Sequence, residues 1–461
     1  AVERRPRVGH ACAAGHAVRL AVLVVGQVLS VANANMIAVA LPPLARDLGA
    51  SGTQQQWVVD AFVLVFAALL IAGGVLGDRH GRRRAFVAGL GVFAAGSLAC
   101  AVAASPGLLI AARVVQGLGP PLILPASLAL VAAAYPDRRE RARAIGFWGA
   151  GSGIGAAIGP LFGGLIVSGL GWRWVFALNV PVALALAAAA LRVIAPDRGH
   201  RGAHRFDAAG ALLVTLGMAG VVFGIIEGRE RGWASAAVLV GFGAGAALLA
   251  AFVATERRHP APLVDLALLG RRAFAAANLG GAMMMFTLIG TTVYVSAFLQ
   301  STRGLTALET GLALLPLGAA VAAWAPVSGR LTARIAPRVM IVGGILCAAA
   351  GAALLGRTDA TDGAGDLWPA LVLLGTGTGF ALPPMTSTAV SAAPAHETGM
   401  ASAIHNASRQ LGGALGVAVL GTIVLSATSL AAGLRSALTT AAVLLVAVAA
   451  LSAGLLARHR G

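Results

Sequence analysis

Three side chains that can hold or move charge lie within apolar stretches of this sequence: Asp60, Arg113 and His405. An acid that passes between an apolar pocket and the reach of an arginine changes its affinity for a proton, so such a pair can take one up and release it. Asp60 stands about one turn from the end of its apolar run, and Arg113 about two turns from the same end of its own. At ~1.5 Å per residue their depths are similar, so contact is allowed. A permanent structural ion pair is the alternative reading. A second concentration of charge, "GGVLGDRHGRRR" (73–84), crowds Asp78, Arg79, Arg82, Arg83 and Arg84 into one turn between two apolar runs. The arginines alone would serve as an anchor at an anionic membrane surface, but Asp78 does not suit that task.

These residues must be held by elements that live in lipid. The chain has 461 residues, 58% hydrophobic and 11% charged, where a soluble protein carries roughly a quarter charged residues. Segments of ~20 apolar residues without strict alternation predict membrane-spanning helices rather than barrel strands. Fourteen such spans are expected. They divide the chain into a tail (1–19), a six-helix bundle (20–194), a linker (195–207) and a helix pair (208–254). An interfacial segment (255–273), a second six-helix bundle (274–456) and a tail (457–461) follow. Placed on this map, 25 of the 34 arginines fall on one side, 7 on the other and 2 within spans. The excess of arginine on cytoplasmic loops then puts both termini in the cytoplasm.

Composition also excludes several classes. The net charge of +17 does not indicate nucleic acid, because the basic residues separate apolar segments instead of forming one surface. Lysine is absent, which removes a Walker-type phosphate loop and any lysine Schiff base. All-arginine usage points to a GC-rich bacterial genome, and hence to a bacterial inner membrane. Three scattered cysteines do not make a disulfide framework. No HExxH, GxSxG or paired intramembrane carboxylates are found, so no enzyme, cofactor or metal is expected. The expected partners are small amphiphilic substrates, protons and the lipid bilayer, around a monomer.

"GVLGDRHGRR" (74–83) aligns with "GRLTARIAPR" (329–338), each after the second span of a six-span group, if spans 7 and 8 are an insertion. Secondary transporters are built from such repeats, with the substrate site between them. The first copy resembles the loop signature of the major facilitator superfamily. "RVVQGLGPP" (113–121) resembles its helix-4 signature and "GAAIGPLFGG" (155–164) the helix-5 signature of its exporters. "ALP" (40–42), "WRWVFALNVP" (172–181) and "NASRQLGGALGVAVLG" (406–421) resemble the fourteen-helix drug:proton antiporters in particular.

That resemblance implies an all-α fold of two pseudo-symmetric halves and proton-driven export of amphiphilic drugs or antibiotics by alternating access. A dedicated exporter or facilitator of a single natural product or metabolite is the second reading. Gly74, Asp78, Arg79, Gly81, Arg82 and Arg83 become a latch, with Asp78 at the positive end of span 13 when the cavity faces outward. Gly155, Gly159, Pro160, Gly163 and Gly164 become a small-residue face against the opposite half, and Arg409, Gly412 and Gly416 a related stripe on span 13. Asp60, Arg113 and His405 become the proton-coupling candidates. Gln27, Asn33, Gln116, Met285, Thr292, Tyr294 and Phe298 become candidates for the substrate pocket. One departure stands out. The family usually has an acid in helix 1 where this chain has Asn33, which puts both full proton coupling and a preference for strongly cationic substrates in doubt.

Overall fold

The computed structural model describes residues 8–135, 137–197, 207–258, 264–332, 334–357, 364–394 and 398–457. Among these the chain forms seventeen α-helices, one turn of 3-10 helix at Ala364–Leu367 and no strand. The helices are α1 (Val8–Leu48), α2 (Gly52–His80), α3 (Arg82–Ala101), α4 (Pro106–Gly117), α5 (Gly119–Ala134), α6 (Arg138–Leu170), α7 (Arg173–Ala177), α8 (Asn179–Val193) and α9 (Ala208–Arg231). They continue as α10 (Ala236–Glu256), α11 (Leu266–Gly270), α12 (Arg272–Ser301), α13 (Ala307–Leu331), α14 (Pro337–Leu355), α15 (Trp368–Ser391), α16 (Thr398–Ser426) and α17 (Leu430–Ala457).

Twelve segments are long and apolar enough to cross a membrane, with α4–α5 and α7–α8 each counted as one. Beside them run α6, of 33 residues, and α15, of 24. The breaks inside two of the segments follow from proline. Pro120 and Pro121 follow Leu118, and Pro181 follows Leu178; each removes an N–H from the i→i−4 ladder. The sequence places residues 1–19 in a tail, yet α1 begins at Val8 and continues through that stretch. Apolar residues and alanine around the charged positions let the helix extend beyond the span. Within the expected interfacial segment 255–273, the short α11 is capped by Asp265, whose carboxylate accepts from the Ala267 amide at 2.8 Å. Much of the linker 195–207 and most of 457–461 lie outside the described residues.

Close packing rests on small residues, as expected where lipid supplies no hydrophobic drive between helices. α9 and α10 lie against each other through Gly217, Gly220 and Gly245, whose absent side chains let the backbones touch. α12 meets α16 where Gly412 and Gly416 face the carbonyls of Ala282 and Phe286. α6 packs on both α1 and α13. Among the described residues, hydrogen bonds join the helices before the α9–α10 pair to those after it at the arginine-poor end of the bundle. Gln56 donates to the carbonyls of Val417 and Ala418 at 3.3 and 3.2 Å, and Gln300 to Val39 at 2.9 Å. The Leu308 amide donates to the Ser168 hydroxyl at 3.0 Å.

Candidate functional site

Asp60 and Arg113 share a depth but not a direction. In α2, Val58 and Phe62 lie one turn apart on one face, whereas Asp60 falls nearly opposite, at 100° per residue. Arg113 takes the Val58 face. Its Nε donates to the Val58 carbonyl at 2.9 Å and its guanidinium stacks over Phe62, 4.2 Å from the ring centroid. Asp60 points instead to the junction with α12 and α16. The expected acid–arginine contact is therefore absent, because equal depth says nothing about azimuth.

At the junction Asp60 is fully buried, and neither carboxylate oxygen has a hydrogen-bond partner. Gln56, one turn earlier on the same face, reaches α16. The Tyr294 hydroxyl of α12 donates to the Val417 carbonyl at 2.7 Å, also bonds Gln56, and lies within electrostatic reach of Asp60. Gly421 has no room for a side chain, since a Cβ there would run into the Tyr294 hydroxyl and the Gln56 amide. An acid is thus sealed in the seam between two groups of helices. The sequence reading missed Gln56, although its i−4 spacing from Asp60 marks the shared face.

Arg113 belongs to a different cluster. Its Nη1 donates to Gln116 Oε1 at 2.6 Å. The Gln116 amide donates to Ser97 Oγ at 2.8 Å and to Asn33 Oδ1 at 3.3 Å, and Asn179 donates to the same Asn33 oxygen at 2.8 Å. All five residues are buried, on α1, α3, α4 and α8. Asn33 and Gln116 are thereby brought together. Ser97 and Asn179 escaped the sequence reading because single polar residues in apolar runs carry no spacing signal.

The remaining candidates scatter. His405 is fully buried, with both ring nitrogens unpartnered, and sits with Arg409 against Gly281 of α12. Gln27 is buried beside Gly151 of α6. Met285 and Thr292 lie on one face of α12, seven residues apart, and Tyr294 and Phe298 on another. All four are buried, the two pairs on different faces of the helix. The small-residue face of α6 is in fact two. Gly155, Gly159 and Gly163 pack on α1, at Val31, Asn35 and Met36, within the same group of helices. Only the adjoining row, Pro160 and Gly164, meets α13 across the seam, at Gly311 and Ala307. The division follows from helix geometry, since positions 160 and 164 lie about 100° round from 159 and 163.

The 73–84 loop is organised by a residue outside it. Asp197 accepts from the backbone amides of Arg82 and Arg83 at 2.6 and 3.0 Å, capping α3, while Arg83 donates to the Leu191 carbonyl at 2.6 Å. Gly81 sits at φ +101°, a conformation that favours glycine, and its Cα faces the Asp197 carbonyl. Gly74 lies against Pro125 of α5. Asp78 pairs with Arg82 at 2.8 Å, half-exposed, so in this state its charge is met inside its own loop. Asp197→Ala is expected to cost about 1 kcal/mol through loss of the cap. It should loosen the loop, read as faster proteolysis or amide exchange at 78–84.

This arrangement, long helices packed through glycine with titratable groups sealed among them, defines a polytopic membrane transporter. Residues 23–417 match the Major Facilitator Superfamily, and the chain belongs to that family. It is 38% identical to a puromycin resistance protein of Streptomyces alboniger, over 89% of this chain and 82% of that protein. A multidrug resistance protein of Mycobacterium tuberculosis is also 38% identical, over 86% of this chain and 74% of its own. A tetracenomycin C resistance and export protein of Streptomyces glaucescens is 35% identical, over 88% and 76%. Among solved structures, a bacterial homologue of the human lysosomal transporter Spinster, inward-facing and unoccupied, superposes with a TM-score of 0.69 at 18% identity, covering 96% of this chain and 97% of that one.

Proposed function

We propose that this protein is a proton-coupled exporter of amphiphilic drugs or antibiotics, working by alternating access in a bacterial inner membrane. The architecture is fourteen spanning helices, with α6 and α15 joining the twelve apolar segments, arranged as six, an inserted pair (α9–α10) and six. Arginine placement puts both termini in the cytoplasm and the arginine-poor end outside. The present state is then closed toward the outside. The resistance and export relatives, similar over nearly the whole chain, support the class of substrate.

The observation that carries the coupling is Asp60, buried without a partner in the seam that shuts the outer end. An unpaired carboxylate sealed there bears the desolvation cost of a buried charge, and a proton removes it. Protonation from outside lets the seam close; loss of that proton toward the cytoplasm drives it open again. Asp78 acts in the opposite state, leaving Arg82 for the positive end of α16 when the cytoplasmic side closes.

A susceptibility panel in a bacterial strain lacking its own efflux pumps tests the reading. Expression should protect against several amphiphilic compounds, and no protection against any would defeat drug export. The tetracenomycin relative favours a second reading, a dedicated exporter of one natural product, for which protection would be confined to one chemical scaffold.

A further inference from the structure

The cluster around Arg113 has a surplus that its own residues do not resolve. Arg113 and Asn33 are at least 99% buried, yet Arg113 Nη2 and Asn33 Nδ2 have no hydrogen-bond partner. Both leftover atoms are donors. Their orientation is fixed by the charge. Arg113 can only donate, so Gln116 must turn Oε1 toward it and Nε2 toward Asn33. Gln116 and Asn179 then present two N–H groups to Asn33, which must receive them on Oδ1 and leave Nδ2 facing away. A flipped Asn33 amide would set donor against donor. No carboxylate of the described residues lies in the cluster, and none of the ion pairs involves Arg113. Two neighbouring acceptors, Ser97 Oγ and the Val58 carbonyl, are already engaged. What the cluster lacks is a negatively charged acceptor.

We infer that Arg113 and Asn33 form the core of an anion-recognition site in the first helical group, one that takes a small anion or the carboxylate of an acidic amphiphile. This deepens the export reading and rests on it for the substrate arm. Charge-assisted hydrogen bonds to a desolvated guanidinium are among the stronger ones available, and the flanking Phe62 and Phe176 rings, 4.2 and 5.9 Å from the guanidinium, exclude water. An aspartate at position 33 would fill the role from within, with one oxygen receiving the two amides and the other in place of the idle donor. The amide keeps the site open to an external anion.

The test uses the purified full-length protein in detergent and in chloride-free sulfate buffer. Dansylglycine and its neutral counterpart dansylglycinamide are the probes, followed by fluorescence, and chloride is titrated against the thermal midpoint. The wild type is expected to bind the carboxylate roughly tenfold tighter than the amide, a preference that Asn33→Asp abolishes. Arg113→Gln should abolish it as well, by removing the charge instead of compensating it. If chloride alone raises the wild-type midpoint, and does so in neither variant, the acceptor is a free ion and the site stands. Absence of both effects in the wild type, or their persistence in the variants, overturns it. Because binding is read without transport, a failure of proton-driven export would leave this result intact, and the reverse also holds.

Discussion

Asp60→Asn is expected to lose proton-driven export, at least tenfold at matched expression, while retaining exchange of substrate down its own gradient. The amide preserves size and hydrogen-bonding capacity in the seam with Gln56 and Tyr294, so the closed state should still form. It cannot cycle a proton. In the proposed cycle the wild-type acid makes closure depend on protonation, since neither oxygen finds a partner there. Replacing it with a permanently neutral group therefore uncouples closure from the proton gradient. Uptake into inverted vesicles reads the first activity and counterflow from preloaded vesicles the second. Full proton-driven uptake by the variant would move the coupling elsewhere. His405 is next in line, buried with both ring nitrogens unpartnered beside Arg409.

Gly164→Val is expected to jam the outer seam open. A Cβ at this position meets the Ala307 backbone, which cannot swing aside as a side-chain tip would, and valine adds two methyl groups beyond it. Overpacking of this kind typically costs about 1–3 kcal/mol, enough to reverse a closely balanced equilibrium. The fold should survive, because α6 is held to α1 through a different row, Gly155, Gly159 and Gly163. Gln300, which bonds across the seam to Val39, offers a reporter. Maleimide labelling of Gln300→Cys from outside should rise several-fold when Gly164→Val is added, with efflux lost. Unchanged labelling together with normal efflux would mean that the α6–α13 contact is no gate.

Much of this is legible in the sequence. Apolar runs long enough to cross a membrane announced the helices, and the crowd of charge at 73–84 announced a special turn. What escaped was direction and partnership. Spacing gives Asp60 and Arg113 similar depths, but which way each faces depends on which helices surround α2. The glycines of α6 read as one face because periodicity alone cannot say that α1 covers one row and α13 the next. Asp197 was invisible as a cap, being more than a hundred residues from the loop it organises. Ser97 had no pattern around it, and Asn179, though inside the 172–181 motif, had no spacing that pointed to its partners. Their importance comes only from converging on Gln116 and Asn33.

In the proposed cycle substrate leaves as a proton enters, through an acid sealed in the outer seam. The most direct measurement is the pH gradient of inverted vesicles, made from a pump-deficient strain expressing the protein, upon addition of a compound it protects against. The gradient should partly collapse when the compound is added, and vesicles carrying Asp60→Asn should show no such collapse. Uptake of the compound with no change in the wild-type gradient would contradict coupling and make the protein a facilitator.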